Sequence, residues 1–171
     1  INIAFEEDAV ACDIKFELDS VFKAFNHEHV PPSSNVTNIR FIDAISSAIK
    51  ESMLNNDKII FMGQDIADYG GVFKISDGFL EMFGKKRVRN TPICESVILS
   101  MGLGLSVGGY KSIIEMQFAD FVTSGFNPVV NNLAKSYYRW GQQSDVVVRM
   151  PCGAGVGAGP FHSQTNEAWF T

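Results

Sequence analysis

The sequence predicts an α/β domain in which helices cover both faces of a mostly parallel sheet, and three observations support this fold class. Short apolar segments of strand length alternate along the chain with longer segments of helical periodicity. The 171 residues are 46% hydrophobic, which is enough for the core of one ordinary domain. Polar or glycine-rich residues follow the predicted strands, where α/β folds bind their ligands.

Residues 1–38 differ in character from the rest of the chain. They contain an acidic stretch that opens with Glu6-Glu7-Asp8 and a predicted amphipathic helix. The apolar residues at helical spacing are Ile14, Leu18, Val21, Phe22 and Phe25. Segment 27–34 then predicts a linker, because its two prolines and two serines end a helix. We therefore divide the chain into an acidic helix with its linker, 1–38, and a compact domain, 39–171.

The compact domain is predicted to alternate between helices and strands. Its first half contains a helix that begins after a cap at Thr37 or Asn38 and ends near 55–56, a strand at 58–63, a helix through Phe79 and Phe83, and a strand at 87–90. Its second half contains a helix at 93–107 capped by Thr91, a strand at 111–116, a long helix at 119–138, and a β-branched strand at 146–148. Glycines 102, 104 and 108 fall inside a helical pattern, which indicates close helix packing.

Composition argues against several classes of function. The formal charge is −5 and basic residues are scattered, which argues against a nucleic-acid partner. No apolar run reaches the roughly 18–20 residues of a membrane span. Three widely spaced cysteines fit a reducing compartment, and we identify neither a signal nor a transit peptide. Both termini look cut, so we expect a fragment of a longer chain.

Glu95 is the first candidate for chemistry, at the start of a strongly apolar predicted helix. A structural interpretation is a first-turn carboxylate stabilised by the helix dipole. The functional interpretation is a carboxyl group held in a partly apolar pocket, where it can exchange a proton with a ring nitrogen. The sequence alone leaves both open.

Two further candidates follow the later strands. In segment 117–121, Phe118 and Phe121 suit either a core or an aromatic face against a flat heteroaromatic ligand, with Gln117 as a polar contact. The glycine-rich segment 153–160 lacks the spacing of a dinucleotide fingerprint and predicts a mobile loop that presents His162 to a substrate. His27 and His29 lack a third ligand at a sensible spacing, so no metal site is predicted.

These segments together resemble a known family. From Phe41 onward the chain resembles the β subunit of the 2-oxoacid dehydrogenase E1 component, which decarboxylates pyruvate or branched-chain 2-oxoacids with thiamine diphosphate. The matching stretches, which occur in the family's order, are Gly70-Gly71-Val72-Phe73, residues 87–95 (RVRNTPICE), residues 115–121 (EMQFADF) and Phe161-His162-Ser163-Gln164. The combination implies a transketolase-like pyrimidine-binding domain.

The resemblance implies roles for individual residues. Glu95 resembles the glutamate that protonates the aminopyrimidine ring of the cofactor and so activates the cofactor toward the keto carbon of the substrate. Ile93 and Gln117 resemble pocket residues near the same ring. Phe121 stands where the family usually has a tyrosine, so it keeps the stacking face and loses the hydroxyl. His162 resembles the β-side histidine that assists acyl transfer to the lipoyl group of the next enzyme.

One departure from the family concerns proton transfer. The family usually has Gly-Glu-Asp where this chain has Gly63-Gln64-Asp65, and that glutamate belongs to an acidic path between paired active sites. Gln64 cannot carry a proton as a glutamate does. The resemblance therefore does not extend to proton communication by that route.

The resemblance also implies partners. The family's segment that holds Mg²⁺ and the diphosphate has no counterpart here, so those ligands are expected in an α half that is either separate or fused before residue 38. The implied partners are this α half, a second copy that forms a dimer, the lipoyl domain of E2, and a 2-oxoacid. The implied location is the cytoplasm in a bacterium or the mitochondrial matrix in a eukaryote. The fragment alone is expected to be inactive.

Two other functions compete with this interpretation. A transketolase or deoxyxylulose-phosphate synthase shares the architecture and uses a ketose donor, although the segment that ends in His162-Ser163-Gln164 fits the dehydrogenase better. A non-catalytic association module would use the apolar helices only as an interface.

Overall fold

A computed structural model describes residues 2–26 and 28–171 of the chain. The prediction that His27 belongs to a solvated linker lies outside the described residues. Residues 28–40 contain no helix or strand, which agrees with a linker over the described part of that segment.

The centre of the fold is a four-stranded sheet in which every neighbouring pair of strands is parallel. In chain order the strands are β1 (Ile59–Gly63), β2 (Val88–Asn90), β3 (Lys111–Glu115) and β4 (Val146–Arg149). Their order across the sheet is β2-β1-β3-β4. The parallel α/β class predicted from the sequence is therefore confirmed, and all four strands lie where they were predicted to within two residues.

Helices cover the sheet and extend from its edges. The α-helices are α1 (Asn2–Glu6), α2 (Ile14–Val21), α3 (Phe41–Asn55), α4 (Phe79–Phe83), α5 (Glu95–Val107), α6 (Val122–Asn127) and α7 (Ser136–Trp140). A 3₁₀ turn at Ala119–Phe121 precedes α6, a π-helical segment at Pro128–Leu133 follows it, and three further 3₁₀ turns lie at Ala154–Val156, Gly159–Phe161 and Glu167–Trp169. Among the described residues, no helix is both long and apolar enough to cross a membrane.

Two hydrophobic clusters lie on opposite faces of the sheet. On one face, α3 contributes Ile49 and Met53 against Phe61 of β1, and Phe79 of α4 joins the same cluster. On the other face, α5 and α6 cover the sheet; the cluster there contains Met62, Ile98, Leu99, Ile114, Met116 and Val122. β1 is buried along its whole length because it is central and covered on both faces.

The predicted helix caps were wrong. Helix α3 begins at Phe41 after Arg40, and neither Thr37 nor Asn38 caps it. Helix α5 begins at Glu95 after Cys94 instead of at residue 93. The reason is that the Thr91 N–H donates to the carbonyl of Gly63 at 2.9 Å, which continues the ladder between β1 and β2 past the end of the strand. Glu95 therefore occupies the first helical position, at the carboxyl end of the sheet.

The long helix predicted at 119–138 is divided into several shorter segments. A 3₁₀ turn, helix α6, the π-helical segment and α7 follow one another in that range. Pro128 begins the π-helical segment and supplies no N–H for a regular helical hydrogen bond, which explains a change of helix type at this point. The helical character of the segment was predicted correctly, whereas its continuity was not.

The N-terminal segment contacts the domain through its polar side. The carboxylate of Asp13 accepts hydrogen bonds from two backbone N–H groups at the start of α2, and Glu17 accepts one from the Tyr138 hydroxyl of α7 at 2.6 Å. Glu17 raises the pKa of Tyr138, because a nearby acceptor carboxylate favours the protonated phenol. Ile14 and Leu18, predicted to form the apolar side of this helix, are exposed.

The glycines of α5 have two different environments. A Cβ at Gly102 would lie 2.5 Å from Cδ1 of Ile114 in β3, so the predicted close packing is confirmed at this position. A Cβ at Gly104 would meet nothing within 4 Å in the described part of the chain. Gly102 therefore faces the sheet and Gly104 faces away from it.

Candidate functional site

Four loops at the carboxyl ends of the strands contain the predicted site residues. Gln64 and Asp65 follow β1, Glu95 follows β2, segment 117–121 follows β3, and the glycine-rich segment with His162 follows β4. Because all the strands are parallel, these loops share one edge of the sheet. Hydrogen bonds that involve side chains join each of these segments to a neighbouring one, as described below.

Glu95 lies buried at the first position of α5, with 9% of its surface exposed. Its Oε1 accepts a hydrogen bond from Nε2 of Gln64 at 3.0 Å, and its Oε2 accepts one from the hydroxyl of Ser124 at 3.2 Å. Each carboxylate oxygen therefore has one donor, and the side chain is fixed in a single orientation. A helix N-terminus also favours a carboxylate at this position.

Helix α6 approaches the start of α5 closely enough to bring Ser124 to Glu95. A Cβ at Gly125 would lie 2.5 Å from Cδ1 of Leu99, whose side chain is fully buried, and 3.4 Å from the backbone carbonyl of Glu95. The absence of a side chain at Gly125 therefore permits this contact. The Ser124 hydroxyl also lies 3.0 Å from the carbonyl oxygen of Phe121, which links Glu95 to the loop after β3.

Gln117 makes its polar contact with the neighbouring loop. Its Nε2 donates to Oδ2 of Asp65 at 3.0 Å. Asp65 has a positive φ of 56°, a conformation that costs energy for residues other than glycine and occurs often at functional sites. The two consecutive residues after β1 thus bind two predicted site residues: Gln64 binds Glu95, and Asp65 binds Gln117.

The aromatic residues form a cluster around the imidazole of His162. The ring of His162 lies edge-on to Phe118 and Phe121, with centroid distances of 5.2 and 5.3 Å. Phe118 also contacts Phe121 at 5.8 Å and Phe73 at 6.1 Å. The structure therefore brings Phe121 and His162 together, half-buried, on the side of segment 117–121 that faces the loop after β4.

Two buried polar side chains fix the loop that carries His162. Oδ1 of Asp120 accepts a hydrogen bond from the backbone N–H of Gln164 at 3.3 Å. Nδ2 of Asn166 donates to the carbonyl of Ala119 at 3.0 Å. Asp120 and Asn166 are both almost fully buried, so the segment that follows His162 is held at Gln164 and again at Asn166. These contacts hold the residues after His162, and the mobility of the glycine-rich segment 153–160 before it stays a prediction.

Ile93 lies on the segment between β2 and α5, two residues before Glu95. Its side chain is 82% exposed, and its place near the ring of the cofactor stays a prediction. Cys152 is exposed in the loop after β4, and partial desolvation of its thiol together with the nearby carboxylate of Glu167 raises its pKa, which makes it a poor nucleophile.

An ion pair lies beneath the same edge of the sheet. Nη1 of Arg149 and Oε2 of Glu115 are 2.7 Å apart, with side chains 18% and 5% exposed. Neither of these atoms has a hydrogen bond of good geometry in the described part of the chain, so the contact is mainly ionic. Burial raises the pKa of Glu115, and Arg149 opposes that rise. Arg149 also lines an apolar groove of about 710 Å³ whose wall includes Phe73 and Phe118.

Several of these contacts were not predicted from the sequence. Gln64 and Asp65 were identified as residues at a strand end, but nothing in the sequence indicated which partner each would bind. Ser124 and Asn166 carried no signal, because single polar residues in helical or loop segments are common.

A buried carboxyl group at a helix N-terminus and a cluster of aromatic rings share the carboxyl edge of a parallel sheet, and this combination defines a site class suited to a flat nitrogen heterocycle. In agreement, residues 37–171 match the family model described as the transketolase pyrimidine-binding domain. The chain belongs to this family.

Within the family the chain is similar to β subunits of 2-oxoacid dehydrogenases. It is 42% identical over 132 residues to the 2-oxoisovalerate dehydrogenase subunit beta of Bacillus subtilis, an alignment that covers 76% of this chain and 40% of the relative. It is 35% identical over 150 residues to the protein of the same description from Pseudomonas aeruginosa, with 86% of this chain and 43% of the relative covered. It is 38% identical over 130 residues to the mitochondrial pyruvate dehydrogenase E1 component subunit beta-1 of Arabidopsis thaliana, an alignment that covers 75% of this chain and 36% of the relative. The chain thus spans about two fifths of the length of these relatives. The predicted resemblance to an E1 β pyrimidine-binding domain is confirmed.

Proposed function

We propose that this chain forms the pyrimidine-binding half of a thiamine-diphosphate site in a 2-oxoacid dehydrogenase E1. The observation that carries the proposal is the buried carboxyl group of Glu95, fixed by two donors at the carboxyl edge of the sheet. The similarity to E1 β subunits supports the same function. When bound, thiamine diphosphate would supply a reactive carbon that adds to the keto group of the substrate.

The described residues fit the pyrimidine ring of that cofactor. Glu95 offers a carboxyl group that can hold or donate a proton at a ring nitrogen, and its burial excludes competing water. Phe121 offers a half-buried aromatic ring, and its backbone carbonyl lies 3.0 Å from the Ser124 hydroxyl that binds Glu95. Gln117 offers an amide close to the same loops, oriented by Asp65. Ile93 would reach the ring only from the exposed segment that precedes α5.

His162 is proposed to act on the substrate side of the site. Phe118 and Phe121 hold its ring edge-on, and the Asp120 contact to Gln164 fixes the loop beside it. An imidazole held in this way can exchange a proton with a reacting group, which fits assistance in acyl transfer to the lipoyl domain of E2.

The rest of the site is proposed to come from an E1 α half, separate or fused. That half would hold Mg²⁺ and the diphosphate through oxygen ligands. In this proposal the chain alone does not turn over a 2-oxoacid, because it supplies only the groups that contact the ring.

A second copy of the chain is the proposed partner for the outer face of α5. The inner face of this helix packs on the sheet, while the apolar side chains of Val97 and Met101 are exposed on its outer face beside Ser100. Gly104 leaves open space on that face, which permits close approach of another helix. A helix with apolar residues on both faces is normally covered on both.

The test uses the complete E1 that contains this chain together with its α half. Decarboxylation is measured with an artificial electron acceptor and a panel of straight-chain, branched and aromatic 2-oxoacids, with and without thiamine diphosphate. The proposal expects cofactor-dependent turnover of at least one 2-oxoacid by the complete enzyme and none by the chain alone. Turnover of a ketose donor in place of every 2-oxoacid, or no cofactor-dependent reaction, would contradict it.

A further inference from the structure

Both oxygens of the Glu95 carboxyl group are bound by side chains from outside its own helix. Gln64 comes from the loop after β1 and Ser124 from α6, and they approach opposite oxygens at 3.0 and 3.2 Å. Gln64 is only 4% exposed, so water does not compete for its amide. No other described residue donates a side-chain hydrogen bond to this carboxyl group.

We propose that Gln64 and Ser124 are positioning residues that fix the orientation of Glu95 and confine its proton to Oε2. The proposal rests on the proposed function, since it assigns these residues a role in the same site. Neither residue is expected to touch the substrate; each acts through the carboxyl group that it binds.

The chemistry of the two donors differs, and this difference locates the proton. The Nε2 group of Gln64 only donates, so Oε1 must remain an acceptor and cannot carry a proton that points at the amide. The Ser124 hydroxyl has one proton, which it can donate to Oε2 or to the carbonyl of Phe121 at 3.0 Å; when it donates to Phe121, its oxygen can accept a proton from Oε2. Glu95 therefore receives and delivers its proton through Oε2, on the side of Phe121.

The backbone on both sides of Glu95 holds these donors rigidly. Gly63, which precedes Gln64, packs so closely on β3 that a Cβ would lie 2.4 Å from the carbonyl oxygen of Glu115. Gly125, which follows Ser124, packs against Leu99 and the backbone of Glu95. Each donor is thus adjacent to a glycine that fixes its distance from Glu95, which is the arrangement required of a positioning contact.

The test is a double-mutant cycle in the complete E1. Gln64→Met preserves the length of the side chain and removes the donor, and Ser124→Ala removes the hydroxyl. Each should lower kcat about 10-fold, as expected for the loss of a hydrogen bond to a charged group, with a change below about 3-fold in the KM for thiamine diphosphate. Ser124→Thr retains the hydroxyl, so its kcat should remain close to that of the wild-type enzyme. In a Glu95→Gln background, neither substitution should lower the residual rate further.

Matched controls separate positioning from general damage. Gln142→Met removes an amide that binds only the carbonyl of Gln143 at the surface, and Ser52→Ala removes an exposed hydroxyl that binds the carbonyl of Ala48. Both should leave kcat unchanged. Circular dichroism and the melting temperature verify that each variant is folded. If Gln64→Met does not fold, the comparison of kcat between Ser124→Ala and Ser124→Thr tests the positioning role by itself.

Three results would overturn the inference. Equal losses in the wild-type background and in the Glu95→Gln background would show that the donors act elsewhere, and an unchanged kcat in Ser124→Ala would show that the contact does not matter. A larger effect on the cofactor KM than on kcat would show a binding role instead of a positioning role. Failure of the proposed function is recognised separately, because the wild-type enzyme would then show no cofactor-dependent reaction with a 2-oxoacid.

Discussion

Replacement of Arg149 by methionine should destabilise the domain in a pH-dependent manner. The substitution leaves the carboxylate of Glu115 buried without its counter-charge, while the methionine fills much of the space of the aliphatic stem. At a separation of 2.7 Å the gross attraction is about 6 kcal/mol with an effective dielectric constant of roughly 20. Part of it offsets the cost of burying the guanidinium, so we expect a net loss of about 3 kcal/mol near pH 7.

The pH dependence follows from the direction of the pKa of Glu115. Burial raises this pKa in the folded state, and Arg149 opposes the rise, so removal of Arg149 raises the pKa further. When the pKa of a carboxyl group is higher in the folded state than in the unfolded state, the group stabilises the fold at pH values below its unfolded pKa. That stabilisation is lost as the pH rises through the folded-state pKa. The deficit of Arg149→Met should therefore be largest at neutral pH and shrink as the pH falls.

Urea denaturation followed by circular dichroism at pH 7 and pH 5 measures this effect. The double variant Glu115→Gln/Arg149→Met has no buried charge at this position and should recover at least half of the loss at pH 7. An equal deficit at both pH values, or a double variant that is less stable than Arg149→Met alone, would refute the reasoning.

Three further substitutions test the packing that supports the site. Gly63→Ala places a Cβ 2.4 Å from the backbone carbonyl oxygen of Glu115, which cannot move without displacing β3, so the free energy of unfolding should fall by about 1–3 kcal/mol. At concentrations where no second copy covers the outer face of α5, Gly104→Ala meets nothing within 4 Å and should raise the same free energy by about 0.5–1 kcal/mol through helix propensity; a fall in both variants would contradict the packing argument. Asn166→Ala removes the side-chain donor to the buried carbonyl of Ala119, which keeps the N–H of Val122, and should cost about 0.5–1.5 kcal/mol, with faster hydrogen exchange in the loop that carries His162; unchanged exchange would show that the loop is held by other contacts.

Periodicity predicted the strands and most helices because burial on a parallel sheet leaves a direct pattern in the sequence. The apolar run at 58–63 is the central strand, and Ile49 and Met53 of the first domain helix face the core as predicted. Such patterns depend on many residues at once, so a single exception does not obscure them.

Helix boundaries were less predictable, because they depend on single hydrogen bonds. Thr91 had the residue type of a cap, yet its backbone N–H is bound to the carbonyl of Gly63. The predicted helix at 119–138 is interrupted by a π-helical segment that begins at Pro128. In both cases a tertiary contact or a missing donor outweighed the local propensity.

The residue types of the candidate site were predictable from their position after strands, whereas their pairing was not. Glu95, Gln117, Phe121 and His162 follow the carboxyl ends of different strands at one edge of the sheet, as the alternation of elements implied. The contact between Gln64 and Glu95 joins residues 31 positions apart, and it depends on the register of β1 with its neighbours. Sequence pattern carries no information on such a distance between two side chains.

The central claim is that Glu95 exchanges a proton with the cofactor, and the most direct measurement is decarboxylation by the complete E1 with Glu95→Gln. Glutamine preserves the shape of the side chain and can still bind Ser124, but it cannot carry the proton. We expect the rate to fall by about 10²- to 10⁴-fold, with an unchanged melting temperature. A rate within a few-fold of the wild type in the folded variant would contradict the account.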